Sequence, residues 1–363
     1  MNYIYFSSIT NPILFQNKID KLNFISDHSY IPYKNFLFSS ATHLNKNIFS
    51  IIPKDKSTII GDSGGFQIMS GVMKYDDKIR DKIFNWLENN THYAMNLDIP
   101  PVGISFEDSY IQSKENFKYF ESKQTGKTRF IKVIHGNNIN ELKKWIDMIF
   151  PMNFNGGYSL GGLVGNYNAD YKIFLTICLL YQNNIFENML EDEIFHILGV
   201  SSFKRIIPVF YFFHRLKDMK FRLTFDNSTV EADSLKRRMF YVSLYPKKII
   251  LRQKDNIHID VCNCPVCKDI ELSKLQSDTD VLNRRLYAHN HLKYINDLET
   301  LYKLTKLDKK ILNDCMPEYQ DIFDLLDEIL NNKEDCVNIL NKYKFLFKGD
   351  NLPNDNIDID ELF

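Results

Sequence analysis

Asp62 opens the segment of this chain that is best suited to carry chemistry, Asp62-Ser63-Gly64-Gly65-Phe66-Gln67. The apolar pair Ile59-Ile60 precedes it, so the pattern predicts a buried strand that delivers a carboxylate to a glycine-rich loop. A glycine pair lacks Cβ atoms and lets the backbone approach a ligand closely. A carboxylate there can serve as acid, base, nucleophile or hydrogen-bond acceptor. Taken alone, however, such a segment is more often a structural turn.

The same arrangement recurs along the chain, where short apolar runs end at Ser, Gly, Asp or His residues. Eight such runs are candidate strands, starting at Tyr3, Phe36, Ile59, Tyr93, Phe130, Gly157, Phe195 and Phe221. The candidate site residues that follow them are Asp62, Asp98, His135, Gly161, Gly162, Leu163 and Asp226. Most spacers between the runs have helical periodicity, and Asp76 and Ser105 are predicted helix caps.

A second cluster of reactive side chains consists of Cys262, Cys264 and Cys267. Three thiolates at this spacing can surround a tetrahedral zinc ion, with a fourth ligand from a following element. His289 and His291 both follow at a workable distance on a predicted helix. A disulfide fits less well, because nothing else indicates an oxidising compartment. Three thiolates and a histidine leave no open coordination position, so the predicted zinc is structural rather than catalytic.

Strands that alternate with helices predict a (β/α)8 TIM barrel with its active site on the C-terminal face. An open doubly wound sheet fits the same periodicity; the barrel is favoured because polar groups follow so many different strands. The predicted boundaries are a catalytic barrel over residues 1–255, a zinc-binding subdomain with the final barrel helix over 256–295, and a helical C-terminal extension with an acidic tail over 296–363.

Charge and hydropathy restrict the possible partners and location. The net charge is −1, so any binding of a polyanion requires a local basic patch. The candidates are Lys236-Arg237-Arg238, Lys247-Lys248 with Arg252 and Lys254, and Arg284-Arg285. The N-terminus lacks the pattern of a secretory signal, and the most apolar stretches are too short to span a bilayer. A cytoplasmic protein without membrane contact is therefore expected.

Five motifs occur in a fixed order: Asp-Ser-Gly-Gly-Phe-Gln at 62–67, Gly-Tyr-Ser-Leu-Gly-Gly-Leu at 157–163, Leu-Gly-Val at 198–200, Phe-Asp at 225–226, and the three cysteines with a later histidine. The ordered set resembles the tRNA-guanine transglycosylase superfamily and covers most of the chain. An ordered set is far more specific than any one motif. The resemblance implies a zinc-bearing (β/α)8 barrel that exchanges a guanine in a polynucleotide for a 7-deazaguanine without cutting the backbone.

Transferred position by position, the resemblance implies a role for each site residue. Asp226 would attack C1′ of the target nucleotide and expel guanine, leaving a covalent glycosyl-enzyme that the incoming base attacks from the other face. Asp62 would protonate the leaving guanine and deprotonate the incoming base. Asp98 would accept hydrogen bonds from the N–H edge of the purine, and Phe66 would stack on it. The target nucleotide must be flipped out or presented in a loop.

The resemblance also implies that the backbone of Gly161, Gly162 and Leu163 lines the base pocket. It favours His289 over His291 as the fourth zinc ligand, because His-Asn is the usual pair in the superfamily. His135 is a departure, since it replaces the usual Gln; it can still hydrogen-bond the purine O6 or N7, with a charge that depends on pH.

A larger departure follows Asp226. Bacterial tRNA enzymes continue with Pro-Thr-Arg and a basic loop, whereas residues 227–233 of this chain include Glu231 and Asp233. Two carboxylates there are expected to repel a closely held phosphate, which argues for a nucleic acid other than tRNA. The branch that fits is the DNA-guanine transglycosylases of phages and bacterial genomic islands.

The predicted function is therefore exchange of guanine in DNA for a 7-deazaguanine. One alternative is an unusual tRNA-guanine transglycosylase acting on tRNA. The other is a non-catalytic nucleic-acid-binding partner subunit, ranked last because such subunits tend to lose the aspartates that this chain retains. The expected partners are DNA and a free base such as 7-cyano-7-deazaguanine, with a structural Zn²⁺, a possible homodimer, and the host cytoplasm as location if a phage encodes the protein.

Overall fold

The computed structural model describes residues 3–10, 20–31, 33–163, 168–217, 219–242, 248–251, 262–268 and 280–347. Eight of the strands are β1 (Tyr3–Ser8), β2 (Asn35–Ser39), β3 (Thr58–Asp62), β4 (Tyr93–Met95), β5 (Arg129–Ile134), β6 (Gly157–Leu160), β7 (Ile194–Ile197) and β8 (Arg222–Asn227). A hairpin of β9 (Met239–Tyr241) and β10 (Lys248–Ile250) follows them.

Strands β1 to β8 form a closed parallel barrel in which each strand pairs with its neighbour in sequence. The barrel closes where β1 pairs with β8, in a register that runs from Tyr3 opposite Leu223 to Ser7 opposite Asn227. This closure excludes the open doubly wound sheet. The (β/α)8 prediction and all eight predicted strands are confirmed.

Helices alternate with the strands and cover the outside of the barrel. They are α1 (Ser40–His43), α2 (Ile48–Ile51), α3 (Gly65–Met69), α4 (Asp77–Asn90), α5 (Phe106–Lys123), α6 (Ile139–Ile149), α7 (Ala169–Gln182), α8 (Ile185–Asn188), α9 (Phe203–Arg215), α10 (Thr229–Glu231), α11 (Asp280–Leu304), α12 (Lys309–Cys315), α13 (Gln320–Asn331) and α14 (Cys336–Lys342). A π-helical turn spans Ala232–Arg237, and 3-10 turns span Asp20–Leu22, Pro317–Tyr319, Lys333–Asp335 and Lys344–Phe347.

Both predicted helix caps are present. The Asp76 carboxylate accepts a hydrogen bond from the backbone N–H of Ile79 at the start of α4, and the Ser105 hydroxyl accepts one from the N–H of Asp108 at the start of α5. Such caps satisfy N–H groups that a helix leaves unpaired at its first turn. In the described part of the chain, no helix is long and apolar enough to cross a membrane.

Side chains alternate between the two faces of each barrel strand. An inner apolar cluster contains Phe6, Leu37, Ile60, Tyr93, Met95, Ile131, Val133 and Ile194. Flanking residues such as Tyr5, Phe36 and Phe38 belong to the separate core between strands and helices. The apolar filling of the barrel leaves the polar residues at the carboxyl ends of the strands to form a site above it.

Helix α11 follows β8 and the hairpin in sequence and packs directly on the barrel. The hydroxyls of Tyr287 and Ser7 lie 2.8 Å apart, and the Tyr294 hydroxyl donates to the carbonyl of Ser201 at 3.1 Å. The helix runs through the predicted boundary at residue 295 and ends at Leu304. Beyond it, α13 packs on α9 and α14 packs on α7, so the C-terminal helices add to the helical layer around the barrel. The predicted acidic tail lies outside the described residues.

Candidate active site and metal centre

The glycine pair after β3 brings two candidate carboxylates to the same rim of the barrel. Gly64 has φ +81°, and a Cβ on Gly65 would lie 2.0 Å from the carbonyl oxygen of Asp98. Both positions therefore require glycine, because neither the backbone angle nor the contact tolerates a side chain. The close approach expected of this pair is thus made to the backbone of Asp98, which fixes the loop of Asp62 against the end of β4.

Asp62 is poised to exchange a proton near neutral pH. Burial raises its pKa to about 6, while the neighbouring Ser39 hydroxyl and the Gly64 N–H, 3.2 Å from Oδ1, act in the opposite direction. The charges of Asp98 and Asp226 raise the pKa further, which places all three carboxylates around one site. A carboxyl group with a pKa near the working pH is suited to general acid and base catalysis.

Asp226 lies near the end of β8, and hydrogen bonds fix both of its carboxylate oxygens. The Ser8 hydroxyl donates to Oδ2 at 2.6 Å, and the backbone N–H of Gly199 donates to Oδ1 at 2.7 Å. His196 Nε2 lies 3.2 Å from Oδ1. Donors from β1, β7 and the loop after β7 therefore hold one carboxylate in a single orientation, as a nucleophile that attacks along a defined direction requires.

A polar chain inside the barrel supports this carboxylate. His196 is fully buried, and its Nδ1 lies 2.8 Å from the Thr224 hydroxyl. Because a carboxylate only accepts hydrogen bonds, Nε2 carries the proton toward Asp226, while Nδ1 contacts the Thr224 hydroxyl. Neither Ser8 nor His196 was predicted as a site residue. The available signal was a histidine in the otherwise apolar strand β7, at an inward position one residue before the strand ends.

Asp98 and His135 form a second buried pair. His135 Nε2 lies 2.6 Å from Oδ2 of Asp98, and the Ser63 hydroxyl lies 3.4 Å from Oδ1. Trp145 packs edge-on against the imidazole. The pair uses Nε2, so Nδ1 is the ring nitrogen left for a ligand; within the described residues it is buried without a hydrogen-bond partner.

Of the remaining predicted pocket residues, Gly161 and Gly162 lie beside this pair. A Cβ on Gly161 would lie 2.7 Å from Cε1 of His135, so only glycine leaves room for the ring. Gly162 is exposed with φ +67°, whereas Leu163 is 2 % exposed and packs in the core. Phe66 is 56 % exposed at the start of α3, which leaves its ring free to contact a ligand.

Three cysteines and one histidine form a candidate metal centre beside the hairpin. His289 Nδ1 lies 3.7, 3.4 and 3.3 Å from the sulfurs of Cys262, Cys264 and Cys267, and all four ligand atoms lie within 4.8 Å of one another. Bonds of about 2.0–2.3 Å from a tetrahedral zinc ion place ligand atoms about 3.5 Å apart. The donor set therefore fits a tetrahedral metal ion.

The surroundings of His289 fix the nitrogen that faces the sulfurs. Its Nε2 lies 2.8 Å from the carbonyl of Tyr241 and donates to it, so the unprotonated Nδ1 is available to a metal. The Phe240 ring stacks on the imidazole with 4.1 Å between centroids. His291 instead lies among Phe24, Tyr5, Tyr33 and Tyr287, and burial lowers its pKa to about 3. His289 is therefore the histidine of the cluster, and His291 belongs to the core.

The expectation that Glu231 and Asp233 repel a phosphate is wrong. Glu231 accepts hydrogen bonds from the backbone N–H and hydroxyl of Thr10, at 3.0 and 2.7 Å. Asp233 is fully buried and accepts from the Tyr241 hydroxyl and from Lys248, at 2.8 and 2.7 Å. Both carboxylates anchor the segment after Asp226 from inside, so they present little charge to a ligand.

The predicted basic patches are also smaller than expected. Arg238 and Arg284 are only 1 % and 4 % exposed, so neither can bind a phosphate at the surface. Lys236 and Arg237 are exposed on the π-helical turn that follows α10, and Arg237 also contacts Asp233. Arg252 and Lys254 lie outside the described residues. Lys247 also lies outside them. Among the described residues of these runs, the exposed ones are Lys236 and Arg237, which follow the strand that carries Asp226.

Comparison with known proteins gives no matching family model and no matching curated sequence.

Proposed function

We propose that this protein exchanges guanine in DNA for a 7-deazaguanine base. The observation that carries the proposal is the pairing of Asp226, held by hydrogen bonds on both oxygens, with Asp62, whose pKa is raised to about 6. One carboxylate is built as an oriented nucleophile and the other as a proton carrier. This division of labour between two carboxylates is that of a retaining glycosyl transfer.

In the first half of the reaction, Asp226 attacks C1′ of the flipped nucleotide while Asp62 gives its proton to the leaving guanine. The products are a glycosyl ester on Asp226 and a neutral free base. In the second half, Asp62 removes the proton from the incoming base, whose nitrogen attacks C1′ and releases Asp226. The charge and the proton balance over the cycle, because Asp62 recovers the proton that it donated.

Asp98 accepts from the N–H edge of the base in this proposal, with His135 holding the carboxylate from behind. Phe66, exposed at the rim, stacks on the ring. The metal centre is proposed to hold zinc in a structural role: its four protein ligands fill a tetrahedron and leave no position for substrate. The metal would join the cysteine segment 262–268 to helix α11.

DNA is proposed as the polynucleotide because residues 227–233 lack the basic segment of tRNA enzymes. A base-exchange assay tests this choice with purified protein, labelled guanine, and duplex DNA, single-stranded DNA and bulk tRNA in parallel. Label should enter DNA and not tRNA. Label in tRNA alone would retain the chemistry and overturn the choice of DNA. Label in none of them would favour a nucleic-acid-binding partner subunit without catalytic activity.

Asp62→Asn should lower the exchange rate by about 10²–10⁴-fold, because the amide cannot shuttle a proton. It should also stabilise the fold at neutral pH. The pKa of Asp62 is about 6 in the folded protein and 3.8 ordinarily. The free energy of unfolding of the wild type therefore falls as the pH rises from about 4 through about 6. The variant buries no charge. Its advantage in free energy of unfolding should therefore grow by about 1–2 kcal/mol between about pH 4 and pH 7, after discounting for partial exposure.

Denaturant unfolding of both proteins across this pH range gives the difference directly. Asp314→Asn, a substitution of the same chemistry at an exposed position on α12, serves as the control and should show neither effect. A pH-independent difference for Asp62→Asn would contradict the raised pKa, and wild-type turnover would remove Asp62 from proton transfer.

A further inference from the structure

The two oxygens of the Asp226 carboxylate have different hydrogen-bond partners. Oδ1 accepts two hydrogen bonds, from the backbone N–H of Gly199 at 2.7 Å and from Nε2 of His196 at 3.2 Å. A carboxylate oxygen has about two lone-pair positions, so these donors saturate Oδ1. In the described part of the chain, Oδ2 accepts one hydrogen bond, from the Ser8 hydroxyl at 2.6 Å. A lone pair of Oδ2 is therefore left to form a bond.

The depth of the partners distinguishes the two oxygens in the same way. His196, which contacts Oδ1, is fully buried inside the barrel. Ser8, which contacts Oδ2, is the last residue of β1 and is only partly buried. Strand pairing places Phe6 opposite Asp226, and Ser8 lies two residues further along on the same face of β1. A nucleotide that approaches from the carboxyl ends of the strands therefore meets the side of the carboxylate that Ser8 contacts.

We propose that Oδ2 is the atom of Asp226 that attacks C1′, and that Ser8 acts on the second half of the exchange. The inference rests on the proposed function, in which a glycosyl ester forms on Asp226. In the first half, the Oδ2–C1′ bond forms, the bond from C1′ to guanine breaks, and the guanine takes the proton of Asp62. In the second half, the nitrogen of the incoming base bonds to C1′ and its proton goes to Asp62. The electron pair of the Oδ2–C1′ bond returns to the carboxylate.

The hydrogen bond from Ser8 has opposite effects on the two halves. A charged carboxylate oxygen is a strong acceptor, whereas the singly bonded oxygen of an ester is a weak one. The hydrogen bond to Oδ2 therefore weakens as the ester forms and strengthens as the ester is cleaved. Oδ1 becomes the ester carbonyl oxygen, which still accepts from Gly199 and His196. Ser8 thus shifts the equilibrium away from the ester and assists the departure of Asp226 from C1′.

A residue that only orients the carboxylate would behave differently. Its removal would allow the carboxylate to rotate, and the resulting loss of alignment would slow attack on C1′ in the first half. Removal of a donor that serves the departing carboxylate leaves the first half intact and slows the second. The ratio of the two rates therefore separates a catalytic role of Ser8 from a structural one.

Single-turnover kinetics of the full-length, metal-loaded protein measure both rates. Excess protein is mixed with a DNA oligonucleotide that carries tritiated guanine, and release of labelled guanine without added free base gives the rate of the first half. Unlabelled guanine is then added, and the disappearance of the covalent adduct gives the rate of the second half. Ser8→Ala should change the first rate by less than about threefold and lower the second by about tenfold or more, the effect of one hydrogen bond to a charged group.

Two further variants serve as controls. Ser8→Thr keeps a hydroxyl at the end of β1 and should restore the wild-type ratio of the two rates. Ser122→Ala removes a hydrogen-bonded hydroxyl at an exposed position on α5 and should keep both wild-type rates. Because the ratio is taken within one protein, a smaller fraction of folded protein lowers the amplitudes and leaves the ratio unchanged.

Equal slowing of both halves by Ser8→Ala, or a larger loss in the first half, would overturn the role of Ser8 and leave the exchange chemistry in place. A Ser8→Thr protein with the ratio of Ser8→Ala would do the same. A wild type that exchanges no base in any nucleic acid would refute the proposed function, and the role of Ser8 with it.

Discussion

Replacing Asp226 by Asn should reduce base exchange by about 10⁴-fold or more, because the amide cannot form the glycosyl ester. The fold should be unaffected. The side-chain oxygen of Asn can still accept from the Gly199 N–H, and the amide can donate to the Ser8 hydroxyl. Initial rates of label incorporation give the activity, and thermal unfolding with metal analysis gives the state of the fold.

The Asp314→Asn control should exchange bases at the wild-type rate. An Asp226→Asn protein that retains more than about a tenth of wild-type exchange would remove Asp226 from the nucleophile role, whatever its stability. If Asp226→Asn also loses metal or cooperative unfolding, its loss of activity has a structural cause, and Asp226→Glu decides the role of Asp226 instead. This variant keeps a carboxylate but shifts it by one methylene. It should be folded and slow, because attack requires a defined position.

Removing the metal should produce the largest change in stability. Cys267→Ser should eliminate bound zinc and lower the free energy of unfolding by about 3 kcal/mol or more, because the metal joins the cysteine segment 262–268 to α11. In the described residues the adjoining hairpin pairs at three positions, and a two-stranded hairpin by itself has marginal stability. Metal analysis of the wild type should find a single zinc ion per chain, and chelation should reproduce the effect of the substitution.

The matched control is Cys336→Ser, which alters an equally buried cysteine on α14 far from the cluster. This variant should keep its zinc and lose much less stability. A wild type that binds no zinc, or that unfolds at the same temperature with and without it, would contradict the structural role of the metal centre.

Local sequence pattern was sufficient for the strands and for the aspartates at their ends. Apolar runs of strand length are a local property, and Asp62, Asp98 and Asp226 each lie within three residues of the end of one strand. Barrel closure is not a local property. The contact of Ser8 with Asp226 joins residues 218 positions apart, and hydrophobic periodicity cannot predict such a contact. The spacing of the three cysteines predicted the metal cluster because thiolate ligands at short intervals serve few other purposes.

The incorrect predictions concern charged side chains whose hydrogen-bond and ion-pair partners are not evident from the sequence. Asp233 looked like a surface carboxylate, yet Lys248 and Tyr241 from the later hairpin neutralise it inside the fold. Arg238 looked like part of a basic patch, yet it is buried with a left-handed backbone, φ +56°. In each case the partner comes from another segment of the chain.

The most direct test of the account is a search for the covalent intermediate on Asp226. The protein is incubated with a guanine-containing DNA oligonucleotide without added free base, denatured, and separated by electrophoresis, and any adduct is digested for mass spectrometry. The account predicts an adduct that survives denaturation, maps to Asp226, disappears when free guanine is added before quenching, and is missing from Asp226→Asn. Base exchange by the wild type with no adduct, or with an adduct on another residue, would contradict it.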